Sequence, residues 1–370
     1  MSAALSRVPG APARLRVVAA RELTPADLAA WSVLQSADSS LASPFFRPEY
    51  TLAVAGSREE ARVAIIEDDA GVAGFFPFEA GADGVGRPVG GLLSDYQGMI
   101  GRAGFQWDAV ELVQRCGLQS LRFDHLLAGQ KPFAPFHRVT MSSPVMDLSD
   151  GYAAYVAARN GAGTEQIKKA MGLRRKLERE HGAVRIETQA ADPALLQQLM
   201  RWKSAQYLAS GKTDIFSLSW VVQVLERIQA IRGAEFAGML SVLFAGDRPL
   251  AAHMGLRSRT TWHYWLPAYD PAHARYSPGI LLLLGMAEAA SALGLRVIDL
   301  GNGSNFYKGR LMNGEIAIAE GEVSASPFRA GLVSLRNRAK AWARHSPLLQ
   351  PVRQLRTMAR SKNGPPSGPQ

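Results

Sequence analysis

YDPAHARYSPGILLLLGMAEAASALGLRVIDLGNGSNFYKGRL, residues 269–311, is the stretch whose reading decides the fold. The segment before it, TTWHYWLPAY (260–269), has the β-branched and aromatic content of a strand. A polar loop, DPAHARYSPG, follows and opens a helix predicted from about Ile280 to Leu293. LRVIDLG (295–301) then reads as a second strand that runs out into Gly301, Asn302, Gly303, Ser304 and Asn305. Pro278 suits the first helical turn, where its missing N–H costs little. Gly279 lets an anion approach the backbone. The unpaired amides and positive dipole end of such a helix start attract negative charge. Arg275, Tyr276, Ser277, Pro278 and Gly279 are therefore candidate anion-binding residues, and a plain helix start is the other reading.

Upstream, Leu240–Phe244 and Leu250–Arg257 read as a hairpin about the turn Ala245–Pro249. The same order occurs in the first half. RVAIIE (62–67) and Val72–Glu79 flank the turn Asp68–Gly71, a helical pattern covers about Phe105–Leu118, and SLRFDHL is a strand. The strands holding Asp124 and Asp299 lie 175 positions apart, close to the spacing of the two turns. Between the halves, the apolar Ile167, Met171, Leu173 and Leu177 of EQIKKAMGLRRKLEREHG suit a helix. Its Lys168, Lys169, Arg174, Arg175 and Lys176 belong to a solvated linker helix or face an anionic partner.

A chain of 370 residues exceeds what one core usually supports. Its single cysteine, Cys116, excludes an internal disulfide and reads as a structural thiol, and no Cys/His cluster has zinc spacing. No apolar run is long enough to span a membrane, and the N-terminal segment lacks the apolar stretch of a signal peptide, so a cytoplasmic location is expected. The net charge of +10 is concentrated at the end: nine basic and no acidic residues follow Glu322, and the rest carries 33 basic against 32 acidic residues. A near-neutral body speaks against DNA binding. The tail, 326–370, has the composition of an amphipathic basic segment. It reads as peripheral membrane attachment, contact with a biosynthetic complex, packing on the body, or RNA contact.

LASPFFRPEY, GGLLSDYQGM, the basic helix ahead of HGAVRIE, and the 269–311 segment together resemble the FemAB-like, CelD-type branch of the GNAT acyltransferases. The resemblance runs from about Leu41 to Glu322. It implies an α+β (mixed α/β) fold of two tandem GNAT-like lobes, each a mixed, mostly antiparallel sheet flanked by helices. The lobes would span 15–160 and 186–325, joined by a linker helix at 161–185, with 1–14 disordered. It implies acetyl-CoA or another acyl-CoA as co-substrate, held by the 275–279 loop, with no metal. The acceptor would be a small molecule or glycan tied to exopolysaccharide or cell-envelope chemistry.

Acyl transfer needs a deprotonated acceptor, a polarised carbonyl and a proton for the thiolate. Asp299, at a strand end, is a candidate base or acceptor-orienting group. Lys308 is a candidate for binding acceptor or phosphate, Tyr307 for protonating the thiolate, and His253 for a base if it reaches a cleft. Asp95, Tyr96 and Gln97 form a polar group suited to the acceptor, with Asn305 beside them in role. His263 and Tyr264 point to opposite faces of their strand, so at most one faces the cleft; Tyr264 is taken as the acceptor contact. Trp202 and Lys203 fit a helix lining the acceptor groove, and GMIGRAGF (98–105) is a weaker second cofactor loop. Two rivals remain: an aminoacyl-tRNA-dependent FemAB-like transferase, and a non-catalytic scaffold of an exopolysaccharide complex.

Overall fold

The computed structural model describes residues 14–303 and 306–326. Asn305, residues 1–13 and the tail beyond Ser326 lie outside the described residues. The strands are β1 (Arg14–Ala19), β2 (Ala61–Asp68), β3 (Gly71–Ala80), β4 (Val85–Arg87), β5 (Ile100–Gly101), β6 (Ser120–Leu127), β7 (His137–Asp147), β8 (Val184–Glu187), β9 (Phe236–Ala245), β10 (Arg248–Ser258), β11 (Thr261–Tyr269), β12 (Val297–Asp299) and β13 (Gly314–Ser324). The helices are α1 (Pro25–Ala37), α2 (Pro48–Ala55), α3 (Ala109–Arg115), α4 (Tyr152–Gly161), α5 (Gln166–His181), α6 (Pro193–Ala209), α7 (Ser219–Ala230), α8 (Pro278–Ala292) and α9 (Phe306–Leu311).

Among the described residues all thirteen strands join one sheet, in the order β1-β2-β3-β4-β6-β13-β7-β12-β11-β10-β9-β8, with β5 on β3. Read inward from either edge, the order is the same: a short edge strand, a hairpin, a strand that meets its neighbour in parallel, and a last strand at the centre. The parallel pairs are β4 with β6 and β11 with β12; the other ladders are antiparallel. The mixed, mostly antiparallel architecture expected from the sequence is therefore present, doubled within a single sheet.

The centre differs from two self-contained lobes. Strand β7 follows β6 in the chain but pairs with β12, and β13, at the end of the second half, pairs with β6. The two meet along β7–β13, from Gly314–Val145 to Gly321–His137. Each sequence half thus lends its last strand to the other.

Alternating side chains build three cores. Val63, Ile65 and Phe75 face the same cluster as Leu240, Val242, Met254 and Leu256, together with Trp31, Phe45, Leu196 and Val221, so one core is shared by both halves. On the opposite face, Trp262, Tyr264 and Leu281–Leu284 pack with Ile167 and Leu177 behind the second half. Phe76, Phe78, Leu112, Phe123 and Phe133 do the same behind the first. Helix α5 buries Ile167, Ala170 and Leu177 and leaves Lys168, Lys169, Arg175 and Lys176 exposed.

Helix α3 is shorter than the expected 105–118. Asp108 caps the amides of Val110 and Glu111 at 2.8 Å each and fixes the start at Ala109. Cys116 is half-buried at its end, and burial pushes the thiol up to about 12.

Candidate active site

Strand β11 pairs with β12 at only three positions, Thr261–Val297, Trp262–Ile298 and His263–Asp299. β11 continues to Tyr269 while β12 ends at Asp299, so the strands part beyond that rung and leave a fork. The opposite side of β11 carries a bulge, where Tyr264 and Trp265 oppose Gly255 alone. Gly255 is needed there. A Cβ would lie 2.3 Å from the His253 ring and 2.5 Å from the His263 carbonyl oxygen.

The bulge fixes which side chain faces which way. Trp262 and Tyr264 enter the core beneath α8, and His263 turns to the shared face. There its Nε2 lies 2.7 Å from Asp95 Oδ2, its Nδ1 lies 3.7 Å from Asp299 Oδ2, and Phe45 packs edge-on at 4.9 Å. The Asp299 contact is too long for a hydrogen bond, so it acts as an electrostatic pair. Asp299 is fully buried. It accepts from Tyr96 Oη at 2.6 Å, Ser143 Oγ at 2.6 Å and the Gly301 amide at 2.9 Å.

Burial alone would protonate Asp299, but His263, Ser143 and Tyr96 outweigh it and hold the carboxyl below its ordinary range. Burial also disfavours charge on His263, yet Asp299 and Asp95 raise it to about 9. Burial and Asp299 push the Tyr96 phenol well up. At neutral pH His263 is thus an imidazolium beside the Asp299 carboxylate, with Tyr96 a neutral phenol. Asp299 already has its acceptor sites filled, which suits it to holding charge and orientation. Asp95, whose side chain is 26% exposed, is the end of the row that meets solvent.

Lys308 Nζ donates to the carbonyls of Gly301 and Asn302, both at 3.0 Å, and so closes the loop after Asp299. Burial lowers its pKa against the pull of Asp95 and Asp299. From α6, Lys203 Nζ donates to the Pro267 carbonyl at 2.9 Å, on the part of β11 beyond the fork. Burial, with Lys212 and Lys308, brings Lys203 down to about 8. Tyr307 is half-buried against the α8-side core.

The expected residues do not all meet. Asp95, Tyr96, Asp299 and Lys308 come together. Gln97 turns to β6, where it exchanges hydrogen bonds with Asp124, the first-half counterpart of Asp299. His253 faces the α8 side, stacked on Tyr264 at 4.5 Å, and its Nε2 accepts the Trp265 amide at 3.1 Å. Burial depresses its pKa far below normal, so it is a neutral brace for the bulge and not a base in the Asp299 row. Tyr264 is buried with it, and the strand position facing the cluster is His263. Ser143 belongs to the site and carried no signal in the sequence.

At the mouth of the fork, Ser277 precedes α8 at φ 52° and makes no side-chain cap. Ser277 and Gly279 are half-buried, so the helix start is accessible. A Cβ on Gly279 would touch only the Tyr269 ring, at 3.7 Å. Tyr276 is buried, its hydroxyl bonded to Glu180 and 3.0 Å from His181 Nε2; Arg275 pairs with Glu180 at 3.2 Å. These two anchor the loop to α5. The 98–105 loop of the first half is instead built into the sheet as β5, and the α3 amides behind it are capped by Asp108.

Residues 165–309, from α5 to the middle of α9, match the acetyltransferase (GNAT) domain family. This match supports an acyltransferase, and it contains the fork, α8, Asp299 and Lys308. Among solved structures, FemX is similar at 10% identity, covering 87% of this chain and 100% of that one, with a TM-score of 0.56. A conserved protein of unknown function from Bacteroides thetaiotaomicron VPI-5482 is similar at 8% identity, 81% and 98% coverage, and a TM-score of 0.51. A tandem GNAT protein from the clavulanic acid biosynthesis pathway aligns at 10% identity over 85% of this chain and 99% of that one, with a TM-score of 0.48. No curated protein matches the sequence. Among the described residues, no His, Cys, Asp and Glu group is placed to hold a metal ion, and no helix is long and apolar enough to cross a membrane.

Proposed function

We propose that the chain transfers an acyl group, acetyl in the first instance, from acyl-CoA to a hydroxyl or amine of a sugar, polysaccharide precursor or related cell-envelope metabolite. The observation that carries the first part is the contrast between the two helix starts. In the first half the amides are capped by Asp108; in the second they are uncapped beside a glycine at the mouth of an open fork. A diphosphate suits the second start, and the acyl chain would then run along the β11 edge toward His263 and Asp299.

In this reading Asp95 takes the proton of the acceptor as its oxygen or nitrogen attacks the thioester carbon. His263, itself paired with Asp299, holds Asp95 in place. The C–S bond breaks, and Tyr307 is the candidate donor to the departing thiolate. The glycan preference rests on the sequence resemblance alone.

Titration calorimetry with acetyl-CoA, longer acyl-CoAs and free CoA tests the reading. All should bind, and Gly279→Val should weaken all three by about tenfold or more, because a side chain blocks phosphate from the amides. Absence of binding at millimolar ligand would remove the acyl-CoA assignment. The exposed basic face of α5 supports a second reading, aminoacyl transfer from charged tRNA. Binding of charged tRNA but not of CoA would favour it.

A further inference from the structure

A cavity of about 460 Å³ opens at the other end of β11, where the Ser36–Ala42 segment meets the Ser258–Thr261 turn. Ser36, Ser39, Ser149 and Thr260 are the hydroxyl-bearing residues of its wall, and Arg259 and Arg296 the basic ones. Among the described residues neither guanidinium has an ion pair or side-chain hydrogen bond. The wall also carries two carboxylates, Asp38 and Glu235. Asp38 accepts the Ser40 amide at 2.8 Å, and Glu235 lies 3.9 Å from the buried Arg47.

The backbones that carry these groups are tied together. Ser258 Oγ donates to the Ala42 carbonyl at 2.6 Å and accepts the Thr261 amide at 3.1 Å. The Arg296 amide donates to Thr260 at 2.8 Å, and the Leu148 amide, next to Ser149, donates to Arg296 at 2.7 Å. The backbones that carry the two arginines are thus fixed relative to each other, while their exposed side chains are free to order on a ligand. Guanidinium pairs recognise carboxylate and phosphate bidentately. Hydroxyls that both donate and accept match the hydroxyls of a sugar. The volume lies in the range of small-ligand pockets and is too large for a bare anion.

We infer that this cavity binds a small saccharide carrying a carboxylate or a phosphate. Thr261 and Val297, on its wall, lie two residues before His263 and Asp299 on the same strands, about 7 Å along the sheet. With no bulge between Thr261 and His263, the two side chains share a face. An occupant would therefore sit next to the catalytic row without entering the fork.

The test is calorimetry on the full chain with glucuronate, glucose 1-phosphate, glucose and inorganic phosphate, without CoA. One or both anionic sugars should bind at least about tenfold more tightly than glucose or phosphate, and the better of the two identifies the anion. The doubly substituted Arg259→Ala, Arg296→Ala protein should lose that binding by about tenfold or more with an unchanged melting temperature, since both side chains are exposed. Gly279→Val should leave it unchanged, which separates this site from the acyl-CoA reading. Absence of binding by both anionic sugars at millimolar concentration, equal binding of inorganic phosphate, or full binding by the double variant would overturn the inference.

Discussion

At His263, burial and two carboxylates act in opposite directions, and the outcome is a proton held to about pH 9. The sign of the linkage follows. The folded pKa is raised above its ordinary 6.5, so the contribution to stability is complete below about 6.5 and is lost as pH rises through about 9. Asp299, whose folded pKa is lowered from 3.8, contributes above that value and loses its contribution in acid. Urea denaturation from pH 6 to 10 should show a decline that His263→Gln abolishes, and the His263 ring should titrate near 9 by NMR. A ring that titrates near 6.5 would show that the carboxylates do not dominate. Asp299→Asn should bring the ring pKa down and cut turnover by on the order of tenfold or more, with little change in acyl-CoA affinity. Unchanged turnover would remove Asp299 from the chemistry. Asp95, Tyr96, Asp299 and Lys308 were legible because each sits beside a glycine-rich strand end or loop. His263 was narrowed to a choice with Tyr264, which only the bulge resolves. Ser143 was invisible, because nothing in SSPVMD distinguishes it until β7 is laid beside β12.

At the scale of elements, the two hairpins and α8 could be read from period and turn residues because their determinants are local. β13 could not. Its alternation in GEIAIAEGEVS is satisfied by β6 and β7, both far away in the chain. The turn into α8 carries a cost that sequence also conceals. Ser277 sits at φ 52°, ψ 51°, a left-handed conformation unfavourable for a residue with a Cβ by about 1–2 kcal/mol. Ser277→Gly should relieve part of this and stabilise the protein by about 0.5–1 kcal/mol in chemical denaturation. Destabilisation instead would mean that the serine side chain makes a contact worth more than the strain. CoA affinity should survive the change if backbone amides alone bind the phosphates.

At the scale of the molecule, the described residues form one sheet with three cores, one of them common to both halves. Segments 15–160 and 186–325, expressed separately, should therefore fail to fold. Each would carry a last strand whose partners are missing, and an open edge beside β6 or β12. Circular dichroism and limited proteolysis check this, and a cooperatively unfolding, monomeric half would contradict it.

The central exchange also has a timetable. When β6 leaves the ribosome, the strand that will cover it lies 187 residues away, from Leu127 to Gly314. At ~5–20 residues per second, that gap lasts on the order of 10–40 s. β7, by contrast, is already made when β12 emerges. The second half can therefore close as it is synthesised, while the first half waits with a bare edge, exposed to chaperones and to neighbouring nascent chains.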